Sequence, residues 1–578
     1  MSVSANNRRR EPGRNGTDRV VLAVALVTVV LIGAVWVSVS VGSHLDQVNQ
    51  PLTRDPITLI AGLIRHTIIW PKAATLIALA IAIGLLVIVG FFVGLRRAGR
   101  KNRTNVDHAA RYMASLRDLA HMREKEGKKR SKRLGVTDSA GVPVGKLFLG
   151  GVTLFASFED MMILIAGPRV GKSTSLVIPA ITAAPGAVVT TSNKRDVLDA
   201  TRDVRAVRGP VWVFDPQSVA LEPASWWWDP LSYVTDDTKA AKLAQHFASG
   251  TTAVGAKTDA YFDGKGQNLL AALLLAAAVR KRPITDVYEW LTNVTRTEAI
   301  DYLEAAGYRR LADGVNAVQR SSDKQRDGIY SSAERMASCL NNSGIERWVN
   351  PDPAPLVPRP QFNPHDFVQG SGTLYSLSRE GAGTAGPLVT ALTAATIEAA
   401  EELAARSRGG RLQTPLLGIL DEAANVCRWT DLPDLYSHYG SRGIPIMSVF
   451  QSYSQGVAIF GREGMRKLWS ASNVKVYAGG VSEPDFLAEM SDLIGTFDRA
   501  TTSESYTRGV RSTSTALKRE KILEVQELAD MPRGRAVLFS SGSRAALLRT
   551  VPWFEGPNRQ QIEASIAAHE PREGNGRP

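Results

Sequence analysis

Two long uncharged stretches open the hydrophobic pattern of this chain. Val20 to Gly42 and Ala73 to Leu95 each run for about 23 residues without a charge, close to the roughly 20 that a helix needs to cross a bilayer. Arg8, Arg9, Arg10, Arg14 and Arg19 precede the first stretch, and Arg96, Arg97, Arg100, Lys101 and Arg103 follow the second. Between them, Ser43 to Lys72 holds only Arg54, Arg65 and Lys72 against Asp46 and Asp55. Cations concentrate on cytoplasmic flanks, so the pattern predicts a two-helix transmembrane hairpin in the cell (inner, cytoplasmic) membrane, with both termini and the body of the chain in the cytoplasm. A cleaved signal peptide competes for the first stretch, but its apolar core is too long for one and a second span follows. Trp36 and Trp70 fall near the expected interfaces.

Past residue 140 the pattern changes to short apolar runs separated by helical ones. Met161 to Ala166 is an apolar run followed by a small-residue loop and a helical stretch. "GAVVTTSNKRD" and "GPVWVFDP" read as strands with polar ends, the second closing on Asp215-Pro216. From about Thr235 to Val349 the period becomes helical, in "LAQHFASG", "GQNLLAALLLAAAVRK", "VYEWLTNV" and "SSAERMASCLNN". "SGTLYSLSR" resumes a strand and "GPLVTALTAATIEAAEELAARS" reads as a long amphipathic helix. Two more strands follow, Leu416 to Leu420 and "GIPIMSVFQSYSQ". The expected organisation is a basic cytoplasmic segment (1–19), the hairpin with its short outer loop (20–95), a basic linker (96–140) and an α/β domain in two parts (141–234 and 350–556). An all-α domain (235–349) is inserted between the parts, and a Pro/Gly-rich tail (557–578) is expected to be disordered.

Candidate chemistry sits at the ends of the apolar runs. After Ala166 the chain reads Gly167-Pro168-Arg169-Val170-Gly171-Lys172-Ser173-Thr174, a P-loop pattern with Ala166 in the first glycine's place. Successive backbone N–H groups of such a loop wrap phosphates, the lysine reaches the β- and γ-phosphates, and the Ser173 hydroxyl can ligate Mg²⁺. The helix beginning at Lys172 adds its N-terminal dipole to the same anion. A second carboxylate is needed at a strand end, and "PLLGILDEAANV" supplies Asp421 for the metal's shell and Glu422 as base toward the attacking water. A buried strand tipped by two solvated acids is the plainer reading, and the P-loop weighs against it. Gln451, ending the next strand, is placed to sense the γ-phosphate. Arg442, in "YGSRGIP", is a candidate arginine finger toward a neighbouring subunit or an ordinary surface charge.

Composition fits a soluble body on an anchor. The net charge is +13 over 578 residues, and much of it lies in the flanks of the apolar stretches and in Arg111 to Arg133 with "REKEGKKRSKR". That segment would meet anionic lipid headgroups or, alternatively, nucleic acid. Cys339 and Cys427 stand far apart without metal-ligand spacing, as in a reduced cytoplasmic domain.

In their order the motifs resemble the TraG/TraD-like coupling proteins of type IV secretion systems. The residues that carry the resemblance are the hairpin, "SFEDMMILIAGPRVGKST", "VWVFDP" with "WWWDPL", the helical insertion, "ILDEAANV", "SRGIPIMSVFQSYSQ" and "KILEVQELADMPRGRAVLFSSGSRAALLRTVPWFE". Where relatives often have an acidic-x-Lys run, this chain departs with Ser192-Asn193-Lys194-Arg195-Asp196. The resemblance implies a RecA-like P-loop NTPase domain using ATP and Mg²⁺, assembled as a homo-hexamer with sites at subunit boundaries. It also implies single-stranded DNA with bound relaxase as cargo, type IV secretion channel components as partners, and DNA transfer during conjugation as the task. The alternatives are an FtsK-like double-stranded DNA translocase, usually with more spans and a C-terminal winged-helix reader, and a protein-secretion motor ATPase, expected to repeat its motor domain. An ABC exporter lacks its LSGGQ signature here. A membrane AAA+ protease lacks H-E-x-x-H, since His569-Glu570-Pro571-Arg572-Glu573 ends in Glu. An adaptor without ATPase activity is disfavoured by the presence of Lys172, Ser173, Asp421 and Glu422.

Overall fold

A computed structural model describes residues 16–50, 55–101, 104–251, 259–353, 357–380, 384–507 and 510–571. The chain forms two units, residues 108–495 with 521–578, and residues 1–107 with 496–520. Arg8, Arg9, Arg10, Arg14 and Arg103, like residues 572–578 of the expected tail, lie outside the described residues.

The larger unit is built on a sheet of eleven strands among the described residues. In chain order these are β1 (Val142–Leu147), β2 (Thr153–Ala156), β3 (Met162–Ile165), β4 (Val188–Ser192), β5 (Val211–Phe214), β6 (Thr373–Leu377), β7 (Leu417–Leu420), β8 (Ile446–Phe450) and β9 (Val474–Tyr477). After a separate pair, β10 (Thr496–Thr507) and β11 (Val510–Lys521), come β12 (Arg535–Ser540) and β13 (Ala546–Arg549). The spatial order is β2-β1-β13-β12-β9-β3-β8-β7-β4-β6-β5. From β9 to β5 neighbouring strands are parallel, with Met162 beside both Met447 and Val474, and Val188 beside Leu417. From β9 to β2 they are antiparallel. Strands β3, β4, β6, β7 and β8 are buried along their whole length, which is why they read as unbroken apolar runs: helices cover both faces of a parallel sheet. Because these strands run in parallel, the residues that follow β3, β4, β6, β7 and β8 all emerge at one edge. That edge of an open α/β sheet is where ligands bind.

The helix Gly386–Arg406, expected to be amphipathic, is buried on all sides from Gly386 to Ala400. Its alternation of Ala, Thr and Leu is that of a helix threaded through the interior rather than lying on it. At its centre Glu398 accepts hydrogen bonds from Tyr233 Oη and Lys242 Nζ, both at 2.9 Å, and also pairs with Lys239. These partners stand at the start of the helical block, whose described residues from Asp237 to Val349 form helices and no strand. At the other end of the block, Trp348 packs against Trp226 and Phe214, with ring centroids 5.7 and 5.5 Å apart. Trp226, from the triple tryptophan, donates to Val213 O at 3.0 Å.

Two expected boundaries are corrected. Residues 108–140 are not a linker. Leu119, Met122, Leu134 and Val136 enter the same core as Val144 and Leu154, and Ala114 N donates to Ala545 O at 2.8 Å. The basic helix Glu124–Arg133 buries Gly127 and Ser131 and leaves its lysines in water. A dense charge run masks this narrow i, i+4 contact stripe. The tail is not wholly irregular either, because Arg559–His569 is a helix. Its Ile562 is buried against Ile178 and Ala200, Ser565 Oγ donates to Asp199 O at 2.6 Å, and Arg195 donates to His569 O at 2.6 Å. Composition suggested disorder because the apolar residues are few, yet those few fall on one face.

The smaller unit contains the helices Gly16–Leu45, Pro56–Ile64 and Lys72–Lys101 and the paired strands β10 and β11. Among the described residues one helical stretch, Val27–Leu45, is long and apolar enough to cross a membrane, and a shorter apolar stretch spans Lys72–Ile88. The two long helices approach closely at Gly42, where an added Cβ would lie 2.6 Å from Ala74 N. Asp46 accepts from Ala73 N at 2.8 Å, and Gln50 bonds Ile69 through both its backbone N–H and its carbonyl.

Candidate nucleotide site

The loop Gly167–Thr174 leaves β3 and turns into a helix. Gly171 has φ +90° and Arg169 φ +61°, so the loop is curled through the left-handed region that glycine enters freely. Gly167 is needed for a different reason. A Cβ there would fall 1.8 Å from Gly480 O, and Gly167 N donates to Gly479 O at 2.9 Å. The Gly479-Gly480 pair following β9 therefore seats the loop, a contribution that sequence reasoning missed although "YAGG" after an apolar run is its signal. Residues Ser173–Val177 form a π-helical turn before the helix Ile178–Ala183. Pro179 lacks an N–H and crowds the carbonyl of Ser175 four residues back, so the ladder widens.

Asp421 and Glu422 follow β7, which β8 separates from β3 in the sheet. Both carboxylates are about 5% exposed and the Lys172 side chain 16%. Lys172 Nζ bonds Glu422 Oε1 and lies 3.3 Å from Asp421 Oδ1. Burial alone would lower the Lys172 pKa, but the two carboxylates outweigh it and hold the ammonium above its ordinary value. Burial raises the Asp421 carboxyl to about 6 against the pull of Lys172, with Glu422 and Asp196 adding to the rise. Asp421 Oδ1, buried, has an ion pair but accepts no well-aligned hydrogen bond among the described residues. The backbone carbonyl of Asp421 accepts from Thr191 Oγ1 at 2.9 Å, which fixes the strand end. Glu422 has φ +56°, an unfavourable backbone for a residue with a Cβ. Gln451 Nε2 donates to both its oxygens, at 2.9 and 2.8 Å.

The structure thus brings Gly167, Pro168, Arg169, Val170, Gly171, Lys172, Ser173 and Thr174 to one sheet edge with Asp421, Glu422 and Gln451. Thr174 Oγ1 is turned back to Gly171 O at 3.0 Å. Arg442 is not brought there. It precedes β8, at the opposite edge from Gln451, and its guanidinium pairs with Glu401. Of the departing segment, Asp196 reaches Asp421 electrostatically, while Lys194 is exposed. Sequence reasoning also missed Asn193, Glu380 and Asn425, which join the site through hydrogen bonds.

A parallel sheet with a glycine-curled loop after β3, a buried lysine, and two carboxylates after β7, one strand beyond the neighbouring β8, is the architecture of the P-loop NTPase fold, here with a helical block between loop and carboxylates in the chain. Residues 415–533 match the family model described as the TraM recognition site of TraD and TraG. The fold is similar to the bacterial conjugative coupling protein TrwBdeltaN70 in an unbound monoclinic form, with TM-score 0.51 and 16% identity over 73% of this chain and 91% of that one. It is equally similar to the plasmid coupling protein TrwB in complex with ADP and Mg²⁺, with TM-score 0.50 and 16% identity over 71% and 90%. No curated protein sequence matches the chain. The resemblance to TraG/TraD-like coupling proteins therefore stands on a family model as well as on motifs, and the fold agrees with it.

Proposed function

We propose that this protein is a membrane-anchored ATPase that couples a relaxase-bound single strand of DNA to a type IV secretion channel and drives its transfer during conjugation. The observation that carries the reading is the convergence of Lys172, Asp421, Glu422 and Gln451 on the phosphate-binding loop. The matched family segment, which begins just before β7, supports the coupling role over a protein-secretion motor. The anchor is the pair of helices Gly16–Leu45 and Lys72–Lys101, spanning the cell membrane with the larger unit in the cytoplasm.

The ATP phosphates would lie against the N–H groups of Gly167 to Thr174, with Lys172 on the β- and γ-phosphates. Ser173 and Asp421 are the residues that would hold Mg²⁺. A buried carboxylate oxygen without a hydrogen bond, on a carboxyl raised by burial, suits a cation or its water. Held by these residues, Mg²⁺ would supply positive charge to the phosphates. Glu422 would accept the proton of the water whose oxygen bonds the γ-phosphorus while the bond to the β–γ bridging oxygen breaks and ADP leaves. Gln451 would hold Glu422 and the phosphate in one frame. Arg442, at the far sheet edge, could act only on another subunit's cradle in a hexamer.

Two variants test the site. Glu422→Gln should bind ATP like the wild type and lose turnover by about a hundredfold or more. Lys172→Ala should lose nucleotide affinity and also destabilise the fold by about 3–5 kcal/mol, because two buried carboxylates lose their cation. Full-strength ATP binding by Lys172→Ala would contradict the assignment.

A further inference from the structure

We propose that Asn425 and Glu380 are positioning residues that fix the Glu422 carboxylate through a single amide bridge, an inference that rests on reading Glu422 as the base. Glu422 has three hydrogen-bonding groups around its carboxylate: the Lys172 ammonium, the Gln451 amide and Asn425 Nδ2, at 3.3 Å from Oε2. The first two come from the phosphate-binding loop and the end of β8, where γ-phosphate oxygens would compete for them. Asn425 belongs to the same turn after β7 as Glu422, three residues on, so its amide is carried with the carboxylate it holds. The left-handed backbone of Glu422 makes such an outside hold necessary, since that conformation has to be maintained by its surroundings.

Asn425 is itself held. Its Nδ2 donates also to Glu380 Oε1 at 3.1 Å, and the same oxygen receives Asn193 Nδ2 at 2.6 Å. Carboxylates only accept, so the NH₂ of Asn425 must face both of them, and its two hydrogens serve one carboxylate each. The Glu380 carboxylate, itself exposed, holds the amide in the orientation that presents its other hydrogen to Glu422. Glu380 is in turn positioned by the two residues that precede it. Gln217 Oε1, just after β5, accepts from Ser378 Oγ at 2.9 Å and Arg379 N at 3.0 Å, the two residues before Glu380, and from Ala385 N at 3.1 Å. Residues following β4, β5 and β6 are thereby connected to the base following β7. This gives the departing Asn193 and the Asp215-Pro216-Gln217 turn a role.

The test uses the full-length, detergent-solubilised protein and measures kcat, KM and the Kd of a fluorescent ATP analogue. Asn425→Ala should lower kcat about tenfold, and Glu380→Ala about fivefold, with Kd and KM each within about twofold of wild type. Glu380→Gln keeps an acceptor oxygen for both asparagines and should recover most of what Glu380→Ala loses. Wild-type kcat in Asn425→Ala and Glu380→Ala beside an inactive Glu422→Gln would overturn the bridge while leaving the base in place. A parallel rise in Kd, or equal losses in Glu380→Gln and Glu380→Ala, would overturn it as well. Wild-type turnover by Glu422→Gln would instead remove the base assignment, and the bridge with it.

Discussion

At the scale of single residues, His246 places an acid limit on the protein. It is fully buried on the helix Asp237–Thr251, and neither ring nitrogen has a hydrogen-bond partner among the described residues. Burial pushes its pKa from 6.5 down to about 4, only partly countered by Glu398. The unfolded chain therefore binds a proton between pH 6.5 and 4 that the folded chain refuses. Stability is complete above that window and falls as pH drops through it, by an amount on the order of 3 kcal/mol. Thermal melting followed from pH 7 to 4 should show this loss in the wild type and a flatter profile in His246→Leu. Equal acid sensitivity in both would contradict the assignment. Residues of this kind are not legible in sequence, because a lone histidine in a helix carries no sign of its burial. Lys172 is legible through the spacing of the P-loop, and Asp421, Glu422 and Gln451 because they follow short apolar runs. Gly479 and Gly480 leave only the faint signal of "YAGG" after an apolar run, and Asn425 and Glu380 leave none, since their roles depend on strands distant in sequence becoming neighbours in the sheet.

At the scale of elements, the helical block separates two possibilities, a decoration and a docking surface for relaxase or an accessory protein. Both of its ends are tied to the α/β core, through Lys239 and Lys242 on Glu398 and through Trp348 on Trp226. Removing all of 235–349 would leave Glu398 buried without its cations, a cost of about 3–5 kcal/mol that says nothing about docking. A cleaner variant keeps the helices Asp237–Thr251 and Ser343–Val349 and replaces residues 260–341 by a short linker. ATP binding should survive, because the cradle lies outside the block, and DNA transfer should fail if the block reads cargo. The exposed Arg280, Lys281 and Glu289 give it the mixed charge suited to a protein partner. Normal transfer by the variant would make the block a decoration. The hydrophobic pattern predicts these helices and the parallel strands well, because burial on one face leaves a period and burial on both leaves an unbroken apolar run. It fails for the Glu124–Arg133 and Arg559–His569 helices, whose buried stripes are a few small or isolated residues among charges.

At the scale of the whole molecule, the proposed function joins an ATP-driven motor to a polyanionic cargo. The chain carries a net charge of +13, and phosphate contacts that release counterions weaken steeply as salt rises. Binding of DNA should therefore be nearly independent of sequence, and the ATPase should respond to it if motor and cargo are coupled. The most direct measurement is ATP turnover by the full-length protein with and without single-stranded DNA across a salt series. The account predicts a several-fold rise in kcat with DNA at low salt that fades as salt increases, and no turnover in Glu422→Gln under any condition. Turnover that is the same with and without DNA at every salt concentration would contradict it and favour a motor that moves protein instead.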